Sequence, residues 1–61
     1  MKKKAFLNMM KADGWKKSSG RKRAGHDIYE YIDGTHFAVP RHNVVSVGVV
    51  RQYHKLMEDK N

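Results

Sequence analysis

Residues 26–40 carry the pattern that most constrains this chain. His26-Asp27-Ile28-Tyr29-Glu30-Tyr31-Ile32 is rich in β-branched and aromatic residues, which suit a pleated, half-buried strand. Asp33-Gly34 follows, a two-residue hairpin signal because both residue types tolerate positive φ. Thr35-His36-Phe37-Ala38-Val39 returns as the partner strand, and Pro40, which lacks an N–H, ends it. The pattern predicts an antiparallel hairpin. Such a hairpin is not independently stable in water, so the rest of the 61 residues must cover one of its faces. Tyr29 and Tyr31 share one side of their strand and Ile28 and Ile32 the other, so one of these pairs must line the core.

The flanks supply two helices and a short strand. Phe6, Met9 and Met10 recur at i, i+3 and i+4 within a helix predicted over 3–12, and Gly14 is its expected left-handed stop. Residues 15–18 read as a short strand, with Trp15 as a core anchor. Residues 19–25 read as a loop bracketed by Gly20 and Gly25. Ser46 is an N-cap for a helix predicted over 47–58, in which Val50, Tyr53 and Met57 keep helical spacing. The expected order is α-β-β-β-α: one α+β domain over 1–61, its core about 5–57, with both helices on one face of a three-stranded antiparallel sheet. That arrangement resembles the double-stranded RNA-binding-domain fold in miniature. Phe6, Met10, Trp15, Val50, Tyr53 and Met57 are the expected core, over Ile28 and Ile32 or over Phe37 and Val39.

Charge narrows the function. Residues 1–23 hold nine Lys or Arg against one acid, whereas residues 24–61 hold four against five. A basic half beside a near-neutral half, at a net +7, points to a polyanion and above all to nucleic acid. The chain contains no cysteine, which excludes disulfides and thiolate metal sites. No apolar run approaches the roughly 20 residues of a membrane span. The opening Met1-Lys2-Lys3-Lys4 is followed by an apolar stretch that Asn8 and Lys11 interrupt, too short for a signal-peptide core. A soluble cytoplasmic protein is expected, with no membrane contact.

No phosphate-binding glycine loop, zinc-protease motif or informative carboxylate pair occurs. The four histidines do not cluster with acids, so no metal site and no cofactor is expected. His26 is the one to watch. It opens the central strand directly after the basic loop, where it can be held rigidly and still reach a phosphate. Imidazole can take and give a proton near neutral pH. A plain surface histidine at a strand start is the competing reading. His42 follows the hairpin in Val39-Pro40-Arg41-His42, while His36 and His54 read as structural or surface residues.

These segments together resemble the HicA toxin family. Met10-Lys11-Ala12-Asp13-Gly14-Trp15 is similar to its helix end, and Ala24-Gly25-His26-Asp27-Ile28-Tyr29 to its Gly-Ser-His-His segment before an apolar strand. Asp33-Gly34 with Val39-Pro40-Arg41-His42 resembles its hairpin turn and Val-Pro-x-His segment, and Val47-Gly48-Val49-Val50-Arg51-Gln52 its last helix start. The order holds from about residue 5 to 57. Gly25 stands where the family has Ser, and Asp27 where it has a second His. The resemblance implies an mRNA-cleaving endoribonuclease of a type II toxin–antitoxin pair, with His26 catalytic and a HicB-like antitoxin as protein partner.

The chemistry is consistent with that implication. RNA carries its own nucleophile, so a base for the 2′-OH and cations for the phosphorane charge suffice without a metal. His26 is the candidate base. Lys16, Lys17, Arg21, Lys22, Arg23, Arg41 and His42 are candidate RNA-binding residues, and the proton for the leaving group is expected from His42, from a lysine or from His26 itself. The alternative is a non-catalytic RNA- or DNA-binding module of the same fold.

Overall fold

The computed structural model describes residues 1–20 and 24–60. It contains α1 (Lys3–Asp13), β1 (Lys16–Lys17), β2 (His26–Glu30), β3 (His36–Pro40) and α2 (Val47–Lys60). The sheet is antiparallel in the order β1-β2-β3. The predicted α-β-β-β-α order and the α+β class both stand. β1 is shorter than the predicted 15–18, and α2 runs two residues past 58.

Local chemistry explains the helix ends. Gly14 adopts φ 111°. Its N–H and that of Trp15 return to the carbonyls of Lys11 and Met10, at 3.1 and 3.0 Å, which closes α1 with a Schellman-type cap. The reversal turns Trp15 into the core. At α2, Ser46 Oγ accepts the Val49 N–H at 3.3 Å, the cap expected of that serine.

The hairpin differs from the two-residue turn that Asp33-Gly34 signals. The Tyr31 N–H donates to the Thr35 carbonyl at 2.8 Å, and the Gly34 N–H to the Tyr31 carbonyl at 2.9 Å. The loop is therefore three residues, 32–34: a turn followed by Gly34 in the left-handed region at φ 90°. Asp33 Oδ1 accepts the Thr35 N–H across it at 2.9 Å.

One extra loop residue decides which faces meet, because side chains alternate with period two. Tyr29 pairs with Phe37 and Asp27 with Val39, so these four share a face. A two-residue turn would instead have placed Ile28 and Ile32 with Phe37 and Val39. The observed choice gathers aromatic rings, each of which buries about 150–250 Å². Phe37 packs edge-on against Tyr53 at 5.7 Å, and Trp15 lies 5.1 Å from Tyr31. Ile32 is left 82% exposed at the loop tip.

Both helices cover this one face. Phe6 and Met10 of α1 and Tyr53 of α2 join Trp15, Tyr29, Val39 and Val45 in the buried core. Val50 and Met57, expected inside, are only half-buried, and Val45 takes an unforeseen place there. The N-terminus explains Val45. Met1 and Val45 exchange backbone bonds, and the Lys3 N–H donates to the Asn43 carbonyl at 2.9 Å, so residues 1–3 pair with 43–45. No helix among the described residues is long and apolar enough to cross a membrane.

Candidate active site and nucleic-acid interface

The shortness of β1 creates the site. Lys16 and Lys17 pair with Glu30 and Tyr29, and the Ser18 N–H donates to the Ile28 carbonyl at 2.8 Å. Beyond that point β1 gives β2 no partner. Among the described residues, 26 and 27 therefore have a strand partner only on the β3 side, and side chains from both sheet faces border the same cleft. Its volume is about 410 Å³, and its lining includes Lys17, Ser18, Ser19, His26, Asp27 and Arg41.

His26 opens β2 and is partly exposed. Its Nδ1 lies 3.1 Å from the carbonyl oxygen of Ala24. A carbonyl only accepts, so Nδ1 carries the proton and donates. In the neutral ring this leaves Nε2 with the lone pair, the arrangement a general base needs. Gly25 supplies the turn that brings Ala24 back to the ring, at φ 74°, a backbone region costly for the Ser expected there by resemblance.

Asp27, next in sequence, points to the opposite sheet face. Its side chain is 14% exposed, and three cations from three parts of the chain converge on it. Lys3 Nζ of α1 lies 3.3 Å from Oδ2, while Arg41 Nε after β3 and Lys17 Nζ of β1 lie 3.0 and 3.9 Å from Oδ1. Burial alone would push the Asp27 carboxyl up. The hydrogen bonds from Arg41 and Lys3 and the charges of Lys17 and Lys3 outweigh burial and hold it below the ordinary carboxylate value. Asp27 is thus an anion under native conditions, in contact with two of the cations assigned to RNA.

The other candidate residues are dispersed. Lys16 shares its face with Glu30 and lines an adjoining groove of about 710 Å³ with Gly14 and Tyr31, bordered like the His26 cleft by Lys17, Ser18 and Ser19. That groove contains no histidine. His42 is exposed beyond β3 and does not line the His26 cleft. Arg21, Lys22 and Arg23 lie outside the described residues. His36 pairs across the hairpin with Glu30 at 3.2 Å. No group of three or more His, Asp or Glu able to hold a metal occurs among the described residues.

Sequence reasoning did not place Lys3, Ser18 or Ser19 at this site. Lys3 had no local signal, since its place depends on the pairing of residues 1–3 with 43–45. Compared with protein-family models, with curated proteins and with solved structures, the chain matches none.

Proposed function

We propose that this protein is a HicA-like mRNA interferase, a toxin whose metal-independent endoribonuclease activity is held in check by a HicB-like antitoxin in the cytoplasm. The observation that carries the reading is the His26 ring, held through Nδ1 to Ala24 beside a cationic cleft, with Nε2 making no hydrogen bond among the described residues. The order of motifs along the chain and the basic N-terminal third support it.

In this reading the His26 Nε2 removes the proton of a ribose 2′-OH. That oxygen attacks the adjacent phosphorus as the bond to the 5′-oxygen breaks. The 5′-oxygen takes a proton from His26 or from Lys17, the proton carriers at the cleft. The products are a 2′,3′-cyclic phosphate and a 5′-hydroxyl. Lys17 and Arg41 stabilise the charge that builds on the phosphorane. DNA lacks the 2′-OH and is spared.

Expression of the wild type and His26→Ala, scored for growth and RNA integrity, tests the reading. Growth arrest with cleaved mRNA in the wild type alone supports it, and cleavage persists in EDTA. Equal cleavage by both proteins removes His26 from the mechanism. A second reading, a non-catalytic RNA- or DNA-binding module, draws on Asp27, whose carboxylate engages Lys17 and Arg41 inside the cleft. RNA binding without any cleavage favours that reading.

A further inference from the structure

We infer that Lys3, Lys17 and Arg41 form a seat for one RNA backbone phosphate, and that the Asp27 carboxylate is its resident occupant. The inference rests on the RNA-binding reading above and adds to it a residue, Lys3, and a restraint, Asp27.

Three observations carry it. First, the cations come from α1, β1 and the segment after β3, yet all reach one carboxylate within 3.9 Å. Second, the cluster is not neutral: three positive groups meet one negative group, an excess of two charges at the edge of the cleft. Third, two of the cations remain largely in solvent, with the Arg41 and Lys17 side chains 57% and 65% exposed. Arg41 bonds Asp27 through Nε, and its remaining guanidinium donors suit a phosphate. Lys3 is the least exposed of the three at 22%, and its backbone N–H donates to the Asn43 carbonyl.

Magnitude decides whether Asp27 helps or hinders. Lys17 and Arg41 are each more than half exposed, and an ion pair with so exposed a partner is weak, so Asp27 gains little by orienting them. A full negative charge a few ångströms from an arriving phosphate repels it at any position that both could share. Repulsion wins, and Asp27 lowers RNA affinity. A phosphodiester enters when the Lys3, Lys17 and Arg41 side chains turn from Asp27 towards it, so that each gives the phosphate one contact.

The test measures binding of a fully 2′-O-methylated RNA 12-mer, which cannot be cleaved, across a salt series. The wild type, Asp27→Asn and Lys3→Gln are compared, with circular dichroism to check folding. Asp27→Asn tightens binding about threefold to tenfold at low salt. Lys3→Gln weakens binding, and its salt slope falls by about 0.7, one phosphate contact on a single strand. A folded Asp27→Asn that binds no tighter overturns the role of Asp27. A Lys3→Gln slope equal to that of the wild type overturns the seat, and this arm holds even if Asp27→Asn does not fold. Binding that responds to neither substitution leaves the RNA reading standing and removes this inference alone. Absence of binding by the wild type and both variants overturns the RNA reading and this inference together.

Discussion

The Nδ1 of His26 donates to the carbonyl oxygen of Ala24 at 3.1 Å, two residues back across Gly25. This bond sets the tautomer of the ring and aims it from the end of β2. In the proposed mechanism, replacing His26 by Ala removes the base and leaves an exposed carbonyl that water can solvate. RNA cleavage is expected to fall by about 10²–10⁴. RNA affinity and melting temperature should hardly change, because phosphate contacts come from Lys and Arg and little buried area is lost. A variant that melts well below the wild type would show that His26 is structural.

Acid should weaken the fold in two places. Asp33 accepts from Lys60 Nζ and from Thr35, and these bonds hold its carboxyl at about 2. Asp27 is also held below its ordinary value. A depressed native pKa gives stability that is complete above the unfolded value, about 3.9, and is lost as pH falls through the native value. The melting temperature should therefore drop between about pH 4 and 2. Lys60→Met should flatten part of that drop, and an unchanged acid limb would show that the Asp33 contact contributes nothing.

Tyr53 joins the two helices. Its ring is buried against Phe6 at 5.2 Å, and its hydroxyl donates to Asp13. Burial, then the hydrogen bond to Asp13 and the Asp13 charge, push its pKa far above the ordinary tyrosine value. The buried Trp15 Nε1 makes no hydrogen bond among the described residues. Tyr53→Phe keeps the ring and should cost about 1 kcal/mol. In a domain this size that lowers the melting temperature by about 4–8 °C. A raised native pKa gives stability that is complete below the unfolded value, near 10, and fades as pH rises above it. The wild type should lose stability above about pH 10 more steeply than the Phe variant.

The three-residue loop makes opposite demands on two apolar side chains. Ile32 sits 82% exposed at its tip, whereas Val39 is fully buried. Ile32→Ser should change stability by no more than about 0.5 kcal/mol. Val39→Ala should cost about 2 kcal/mol, through lost burial and the cavity left behind. Chemical denaturation of both variants checks the register. A severe loss at Ile32 would instead fit the two-residue turn.

Much of this molecule is legible because its signals act over a few residues. The Gly14 stop, the Ser46 cap and the β-rich stretch after His26 each depend on near neighbours, and each appears where the local chemistry directs. The position of His26 at a strand start follows from the same local reading. The loop length does not, since Asp33-Gly34 suits a two-residue turn as well as the observed turn with Gly34 in the left-handed region.

By itself, then, the sequence determined the element order, the helix ends, the basic N-terminal third and His26 at the mouth of the central strand. Tertiary structure alone decided that the tyrosine face, and not the isoleucine face, is the core. The register followed from packing Trp15, Phe37 and Tyr53 together, a long-range gain that no local propensity encodes. It also decided the partners of Asp27. Lys3, Lys17 and Arg41 belong to three separate segments, and only the assembled sheet and the pairing of residues 1–3 with 43–45 bring their charges onto one carboxylate.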